Sequence, residues 1–216
     1  MEFIDPDLQA YCDNHTSDEP EALKQLDRDT HINVMMPRML SGHFQGRLLK
    51  MLVRMIKPQR VLEIGTYTGY SAICMAEGLP SSDAKIVTID INEELEDFVQ
   101  THLEKSGLNH QVECIIGNAM EIIPNLEEQF DLVFIDADKI NYPNYLDLII
   151  EKVDVGGYII ADNILWSGKV LEKNRKKLDK DTQAILDYNR IVQENPRLEN
   201  VLLPVRDGLM IAEKIK

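Results

Sequence analysis

Short apolar runs that alternate with amphipathic segments after Arg60 predict an α/β fold with a doubly wound, mostly parallel sheet. The chain has 216 residues, a length that suits one such domain. Its last segment, N-V-L-L-P-V-R-D-G-L-M-I-A-E-K-I (200–215), adds two strands around the turn-forming pair Asp207 and Gly208. We therefore expect a Rossmann-like, seven-stranded sheet that ends in an antiparallel hairpin.

Five apolar runs form the parallel strands of this prediction. They are V-L-E-I-G (61–65), K-I-V-T-I-D (85–90), V-E-C-I-I-G (112–117), F-D-L-V-F-I-D (130–136) and G-Y-I-I-A-D (157–162). Helices are predicted between them at Gly69–Gly78, Glu93–Lys105, Ala119–Leu126 and Pro143–Val153. After a basic loop, K-N-R-K-K (173–177), another helix is predicted around Asp181–Gln193, where Asp181 and Thr182 offer a cap.

The first part of the chain is poor in strand-forming stretches and is predicted to be helical. Apolar residues recur at helical spacing from Phe44 onward, and Pro58 stops this pattern. No internal repeat or linker-like tract interrupts the chain. We therefore expect a single domain over 1–216, with a helical segment at 1–57 and the sheet-containing core at 58–216.

Composition argues against several kinds of partner. The chain has 23 Lys and Arg against 37 Asp and Glu, a net charge of −14 that disfavours nucleic acids and anionic lipid surfaces. Its three cysteines, Cys12, Cys74 and Cys114, show no C-x-x-C spacing, which fits a reducing environment without disulfides. The start, M-E-F-I-D-P-D, lacks a signal-peptide pattern, and no apolar run reaches the roughly 18 residues of a membrane span. We expect a cytoplasmic protein.

The first strand–helix junction, E-I-G-T-Y-T-G-Y-S (63–71), suggests a nucleoside site, because ligands of open α/β sheets bind beyond the carboxyl ends of the strands. Gly65 and Gly69 permit a tight turn, but the G-x-G-x-x-G pattern that cradles a dinucleotide pyrophosphate is missing. S-adenosylmethionine has no pyrophosphate. Asp90 could accept hydrogen bonds from ribose hydroxyls, and Glu63 could face a cationic part of the ligand. The alternative is that the glycines only form turns and Asp90 caps the next helix.

Acidic and amide side chains close two apolar strands. Asp136 ends one strand, and Asp162 and Asn163 end another. Since carboxyl ends of parallel strands meet at one edge, these three oxygen donors could hold a hard cation such as Mg²⁺. No H-E-x-x-H or Cys/His cluster indicates zinc. Helix capping and turn formation are the alternative, because Asp and Asn favour both.

Lys139 follows the first of these strand ends and could complete a catalytic site. A phenol ionises near pH ~10, so it is a poor nucleophile at neutral pH. A divalent cation on its oxygen lowers that pKa, and a neighbouring lysine could then take the proton. The alternative is that Lys139 only pairs with Asp138.

Several motifs together resemble the cation-dependent O-methyltransferases related to caffeoyl-CoA and catechol O-methyltransferases. The shared motifs are E-I-G-T-Y-T-G-Y-S (63–71), I-D-I-N (89–92), G-N-A (117–119), F-I-D-A-D-K-I-N-Y (134–142), A-D-N-I-L-W-S-G (161–168) and P-V-R-D-G-L (204–209). They extend from about position 40 to 210, and their order and spacing are specific.

This resemblance implies S-adenosylmethionine as methyl donor, a divalent cation (typically Mg²⁺), a catechol-type acceptor and a homodimer. The implied metal ligands are Asp136, Asp162 and Asn163. Lys139 matches a lysine proposed as general base, and Trp166 matches an aromatic wall beside the acceptor ring. The positions that match the donor site are Ser41, Glu63, Gly65, Tyr70, Ser71, Asp90, Ala119 and Asp136.

Two departures bear on the acceptor. M-M-P-R-M-L-S-G-H-F-Q-G (35–46) replaces a more acidic segment of the plant enzymes, with Gln45 where they carry Glu. The basic loop 167–180 matches no coenzyme-A-binding pattern residue by residue. Both favour a small free catechol, a flavonoid or a related metabolite over a CoA ester. A nicotinamide-dependent reductase and a non-catalytic nucleoside-binding relative are the rival functions.

Overall fold

The computed structural model describes residues 4–174 and 177–216, so Arg175 and Lys176 of the predicted basic loop lie outside the described residues. Its strands are β1 (Arg60–Ile64), β2 (Lys85–Asp90), β3 (Val112–Ile116), β4 (Phe130–Ile135), β5 (Val153–Asp162), β6 (Leu198–Leu203) and β7 (Leu209–Lys214). They form one sheet in the order β3-β2-β1-β4-β5-β7-β6. The pairs β5–β7 and β6–β7 are antiparallel, and β1–β2, β2–β3 and β4–β5 are parallel. The predicted Rossmann-like sheet with a C-terminal hairpin is confirmed.

The α-helices of the described residues are α1 (Pro6–Asn14), α2 (Glu21–Asn33), α3 (Gly42–Ile56), α4 (Tyr70–Ala76), α5 (Glu96–Ser106), α6 (Ala119–Ile122), α7 (Tyr142–Ile149) and α8 (Lys180–Glu194). None of the helices in this part of the chain is long and apolar enough to cross a membrane. Short 3₁₀ turns precede α5 and α7. The cap of α8 differs from the sequence expectation: the Asp179 carboxylate, not that of Asp181, accepts the Thr182 N–H, at 2.8 Å.

The described residues form two compact units: an N-terminal unit of residues 6–118, and a C-terminal unit of residues 4–5, 119–174 and 177–216. In the N-terminal unit, α3 packs closely on α4. A Cβ atom added at Gly46 would lie 2.6 Å from Cys74 Sγ and 2.8 Å from Tyr70 Cε1. This helix–helix contact therefore requires a residue without a side chain at position 46.

Strand register brings the predicted nucleoside residues of the N-terminal unit to one sheet edge. Ile64 lies opposite Ile89, and Asp90 lies opposite Ile116. The Gly65 N–H donates to Ile89 O, and the Gly117 N–H donates to Asp90 O. The carboxyl ends of these three parallel strands are thus level with one another.

Register in the C-terminal unit likewise aligns the acidic strand ends. Ile135 of β4 lies opposite Ala161 of β5. The next residues along the two parallel strands are Asp136 and Asp162, so the two carboxylates follow adjacent strands at the same level. The hairpin reaches this edge too, because Asp162 lies opposite Leu209 of β7.

Candidate active site

The turn after β1 has the open backbone that the sequence predicts. Gly65 and Gly69 have φ angles of 104° and 83°, a region that favours glycine. A Cβ atom at Gly69 would also lie 3.2 Å from Val99 Cγ1. Tyr67, between them, has a φ of 48°. Its N–H donates to Asp90 Oδ2 at 2.7 Å, which ties the turn to the end of β2.

Asp90 organises this strand edge and does not cap the helix. Its second oxygen, Oδ1, accepts the Asn92 N–H at 2.9 Å, while the Asn92 side chain caps the following 3₁₀ turn. The alternative in which Asp90 caps the helix is therefore wrong. A small hollow of about 10 Å³ lies beside Asp90, lined by Thr66, Tyr67, Asn92, Leu95, Glu96, Val99, Cys114 and Ile116. Each Asp90 oxygen accepts one backbone bond, and a carboxylate has lone pairs for further donors.

Glu63 is fully buried in β1 and belongs to a chain of hydrogen bonds. Its Oε2 accepts the Thr88 hydroxyl at 2.5 Å, and Thr88 Oγ1 lies 2.6 Å from Thr66 Oγ1. Because Thr88 donates its proton to Glu63, Thr66 must donate to Thr88. The Glu63 side chain is thus held in a fixed orientation next to the glycine turn.

The other residues predicted to hold the donor lie in three places. Ser41 is buried directly before α3, and Ser71 is buried in α4. Tyr70 is buried too, and its hydroxyl donates to Glu19. Burial is the main cause that raises the Tyr70 pKa, so this phenol stays protonated. Ala119 begins α6 in the C-terminal unit. Whether these residues contact a donor stays a prediction.

Lys139 is buried and connects the end of β4 to α7. Its ammonium donates to Asp136 Oδ1 at 3.0 Å and to the Tyr142 hydroxyl at 2.6 Å. The alternative in which Lys139 pairs with Asp138 is therefore wrong. Asp138 instead accepts hydrogen bonds from Tyr145 at 2.5 Å and from Asn141 at 2.6 Å, which fix the turn before α7.

Tyr142 is a central residue that sequence reasoning did not assign. Its hydroxyl donates to Asp162 O at 3.0 Å, with Ile135 O at 3.3 Å. Burial first, and then the charges of Asp136 and Asp162, raise the Tyr142 pKa well above its ordinary value. The neutral phenol thus links Lys139 to the ends of β4 and β5. Its three-residue spacing from Lys139 is compatible with their contact, but this spacing alone does not distinguish it from an ordinary core aromatic residue.

The predicted cation ligands are assembled from adjacent strand ends. Asp162 is only 2% exposed, and its Oδ1 accepts the Asn163 N–H at 2.7 Å. Asn163 has a left-handed φ of 60°, a conformation that Asn tolerates better than most residues. Within residues 4–174 and 177–216, no group of three His, Cys, Asp or Glu side chains could hold a metal. The predicted set has two carboxylates and one amide, and this all-oxygen chemistry fits a hard cation.

Trp166 lies in a strained loop after these ligands. Asn163, Trp166 and Ser167 all have φ angles between 48° and 60°. The Trp166 side chain is half-buried, and Lys169 Nζ lies 5.6 Å from the centre of its ring. Its indole Nε1 is buried and has no hydrogen-bond partner among the described residues. The contact of this ring with an acceptor stays a prediction.

A Rossmann-like sheet with polar side chains at the carboxyl ends of its strands is typical of the class of proteins that bind small molecules at this edge. A family model described as O-methyltransferase matches residues 13–215. The chain belongs to this O-methyltransferase family. Caffeoyl-CoA O-methyltransferase 5 of Nicotiana tabacum is 36% identical over 207 residues, which cover 91% of this chain and 85% of the relative. Caffeoyl-CoA O-methyltransferase of Petroselinum crispum is 35% identical with the same coverage.

Solved structures agree with this assignment. An SAH-bound Podospora anserina methyltransferase has a TM-score of 0.89 at 29% identity, covering 96% of this chain and 94% of the other. The O-methyltransferase TomG from Streptomyces achromogenes, involved in tomaymycin synthesis and solved with SAM, has a TM-score of 0.89 at 27% identity. Its match covers 97% of this chain and 96% of TomG.

Proposed function

We propose that this O-methyltransferase transfers a methyl group from S-adenosylmethionine to one hydroxyl of a vicinal dihydroxyphenyl compound, with the help of a divalent cation. The observation that carries the proposal is the ion pair of buried Lys139 with half-buried Asp136 at the end of β4, level with Asp162 at the end of β5. Anionic oxygens and an amine at one strand edge suit the binding and deprotonation of a diol.

The donor is assigned to the glycine turn and its surroundings. Asp90 would accept the ribose hydroxyls, and buried Glu63 would face the cationic part of the donor. Two observations support this ligand over a nicotinamide dinucleotide. The sequence lacks a G-x-G-x-x-G motif, and two similar structures were solved with SAM or SAH. The full proposed donor set is Ser41, Glu63, Gly65, Tyr70, Ser71, Asp90, Ala119 and Asp136.

The cation, most simply Mg²⁺, would be held by Asp136, Asp162 and Asn163. When bound, it would supply Lewis-acid stabilisation of a phenolate at neutral pH. Lys139 would take the phenol proton at Nζ, and Tyr142 would hold Nζ in place. Trp166 would limit the acceptor to a flat ring. A small free catechol fits the family departures at 35–46 better than a CoA ester, although the curated relatives carry the name caffeoyl-CoA O-methyltransferase.

The proposal is tested by methyl transfer to a panel of simple catechols, measured with EDTA and after Mg²⁺ is restored. Chelation should abolish turnover, and Mg²⁺ should restore it. Asp162→Asn should lower kcat/KM by about 100-fold or more, since it removes one anionic ligand but keeps an acceptor for the Asn163 N–H. S-adenosylmethionine affinity, measured by calorimetry, should stay within about twofold because Asp162 is outside the donor set.

Ionic strength should be the same in every reaction, since salt screens the charges of a chain that carries a net charge of −14. Full activity in excess EDTA would refute the cation requirement. Tight donor binding without turnover on any catechol would instead support a non-catalytic relative or a different acceptor class.

A further inference from the structure

Asp207 has a structural role that its motif alone did not reveal. The P-V-R-D-G-L segment (204–209) connects β6 to β7, and the Asp207 carboxylate points back to the loop after Asn163. Its Oδ1 accepts the Ser167 N–H at 2.6 Å. In the same turn, Asp207 O accepts the Leu165 N–H at 2.9 Å, and Gly208 O accepts the Ile164 N–H at 3.2 Å.

The loop that these bonds hold carries both a predicted cation ligand and the predicted acceptor wall. Its left-handed backbone at Trp166 and Ser167 is unfavourable for residues with side chains and persists only where surrounding contacts impose it. Asn189 of α8 fixes the start of the loop by donating to Ile164 O at 2.9 Å. The end of the loop is fixed by Asp207, whose side chain accepts the Ser167 N–H.

The neighbouring Gly208 shows how tightly the two segments meet. It has a φ of 91°, and an added Cβ atom would lie 2.5 Å from Leu165 Cγ. No side chain fits at this position without displacing the loop. The Asp207–Gly208 turn thus packs closely against residues 164–167 and is hydrogen-bonded to them.

We propose that Asp207 is a positioning residue of the acceptor site: by holding the Ser167 N–H it fixes the left-handed turn that places the Trp166 ring. Asp207 acts by accepting this hydrogen bond, and its negative charge is not required. The acceptor part of this inference rests on the proposed function, whereas the placement of the ring can be measured without any substrate.

The experiment compares Asp207→Ala with Asp207→Asn, whose amide oxygen can still accept the Ser167 N–H. Asp154→Ala, which removes an exposed carboxylate from β5, is the matched control. Trp166 is the single tryptophan of the sequence, so fluorescence excited at wavelengths where tyrosine does not absorb reports on this loop alone. In the free protein, Asp207→Ala should shift the emission to the red and increase quenching by acrylamide. The Asn variant and the control should match the wild type.

With Mg²⁺ and catechol as acceptor, Asp207→Ala should raise the KM for catechol about tenfold, an effect in the range expected for losing one hydrogen bond. The KM for S-adenosylmethionine should stay within about twofold. Asp207→Asn should restore both values.

Wild-type emission in Asp207→Ala would overturn the inference, and so would an Asn variant as damaged as the Ala variant. A shifted emission with an unchanged catechol KM would overturn the link to the acceptor. If Asp207→Ala does not fold, Asp207→Asn alone decides, since altered emission or KM in that variant contradicts the proposal. Absence of turnover in every variant would refute the proposed function, while the fluorescence would still test the placement of Trp166.

Discussion

At the scale of single residues, Lys139 presents two compatible roles that mutation can separate. As a hydrogen-bond donor, its nitrogen holds the Asp136 carboxylate and the Tyr142 hydroxyl in place. As the proposed general base, it would instead accept the phenol proton at Nζ.

We therefore predict that Lys139→Arg and Lys139→Ala each lower kcat about 100-fold or more, because a guanidinium keeps the charge but cannot accept the proton. The measurement is kcat across pH with saturating donor, Mg²⁺ and catechol, alongside circular dichroism to verify folding. Near-wild-type turnover in the Arg variant would show that Lys139 contributes only positive charge.

The limits of sequence reasoning are also visible at this scale. Asp136, Asp162 and Lys139 could be identified because each directly follows or closes an apolar strand, where a charged side chain is costly without a function. Tyr142 could not, since an aromatic residue near a helix start usually packs in the core. Asp207 could not either, because its partner is a backbone amide 40 residues earlier, and only the fold brings the two together.

At the scale of elements, sequence periodicity located every strand of the sheet but placed some ends incorrectly. The run at 157–162 proved to be the end of a longer strand, β5, that begins at Val153. Its start was assigned incorrectly to the predicted helix at Pro143–Val153, which ends at Ile149 in the structure. Gly156 also concealed the start, since glycine weakens a strand interior. The predicted helix at Glu93–Lys105 is divided into a 3₁₀ turn and α5, because the Asn92 cap is followed by a tighter first turn.

A buried histidine between two helices should make the stability of the fold depend on pH. His102 of α5 is buried, and its Nε2 lies 3.3 Å from Asp29 Oδ2 of α2. Burial, and then Lys105, lower the His102 pKa, whereas Asp29 raises it. Because the folded state binds the proton less readily than the unfolded state, His102 stabilises the fold fully above its ordinary pKa, near 6.5. This contribution is lost as the pH falls from that value through the lower folded pKa.

The free energy of unfolding, measured in urea, should therefore decrease from pH 7.5 to pH 5.5 more steeply in the wild type than in His102→Gln. His110→Gln is the matched control, since His110 is exposed in the same unit. Equal slopes for the wild type and His102→Gln would contradict the assignment.

At the scale of the whole molecule, the net charge of −14 opposes association between copies of the chain. A homodimer, which we propose from the family resemblance, must therefore rest on apolar contacts that exceed this repulsion. The N-terminal unit offers candidate contacts. Met35 is 86% exposed, and Met51 and Met55 of α3 are 54% and 70% exposed. Flexible methionine side chains are frequent at binding surfaces.

We predict that the wild-type protein sediments as a dimer of two 24.7 kDa chains at micromolar concentration in about 0.15 M salt, where charge repulsion is screened beyond roughly 8 Å. The double variant Met51→Lys, Met55→Lys should sediment as a monomer, because dimerisation would bury two unpaired ammonium groups per chain.

Val155→Lys is the control: it adds a charge at an exposed apolar residue of β5 in the C-terminal unit and should leave the dimer intact. Lower salt should weaken the wild-type dimer. A wild-type protein that sediments as a monomer would refute the dimer, and a dimer that survives both methionine substitutions would place the interface elsewhere.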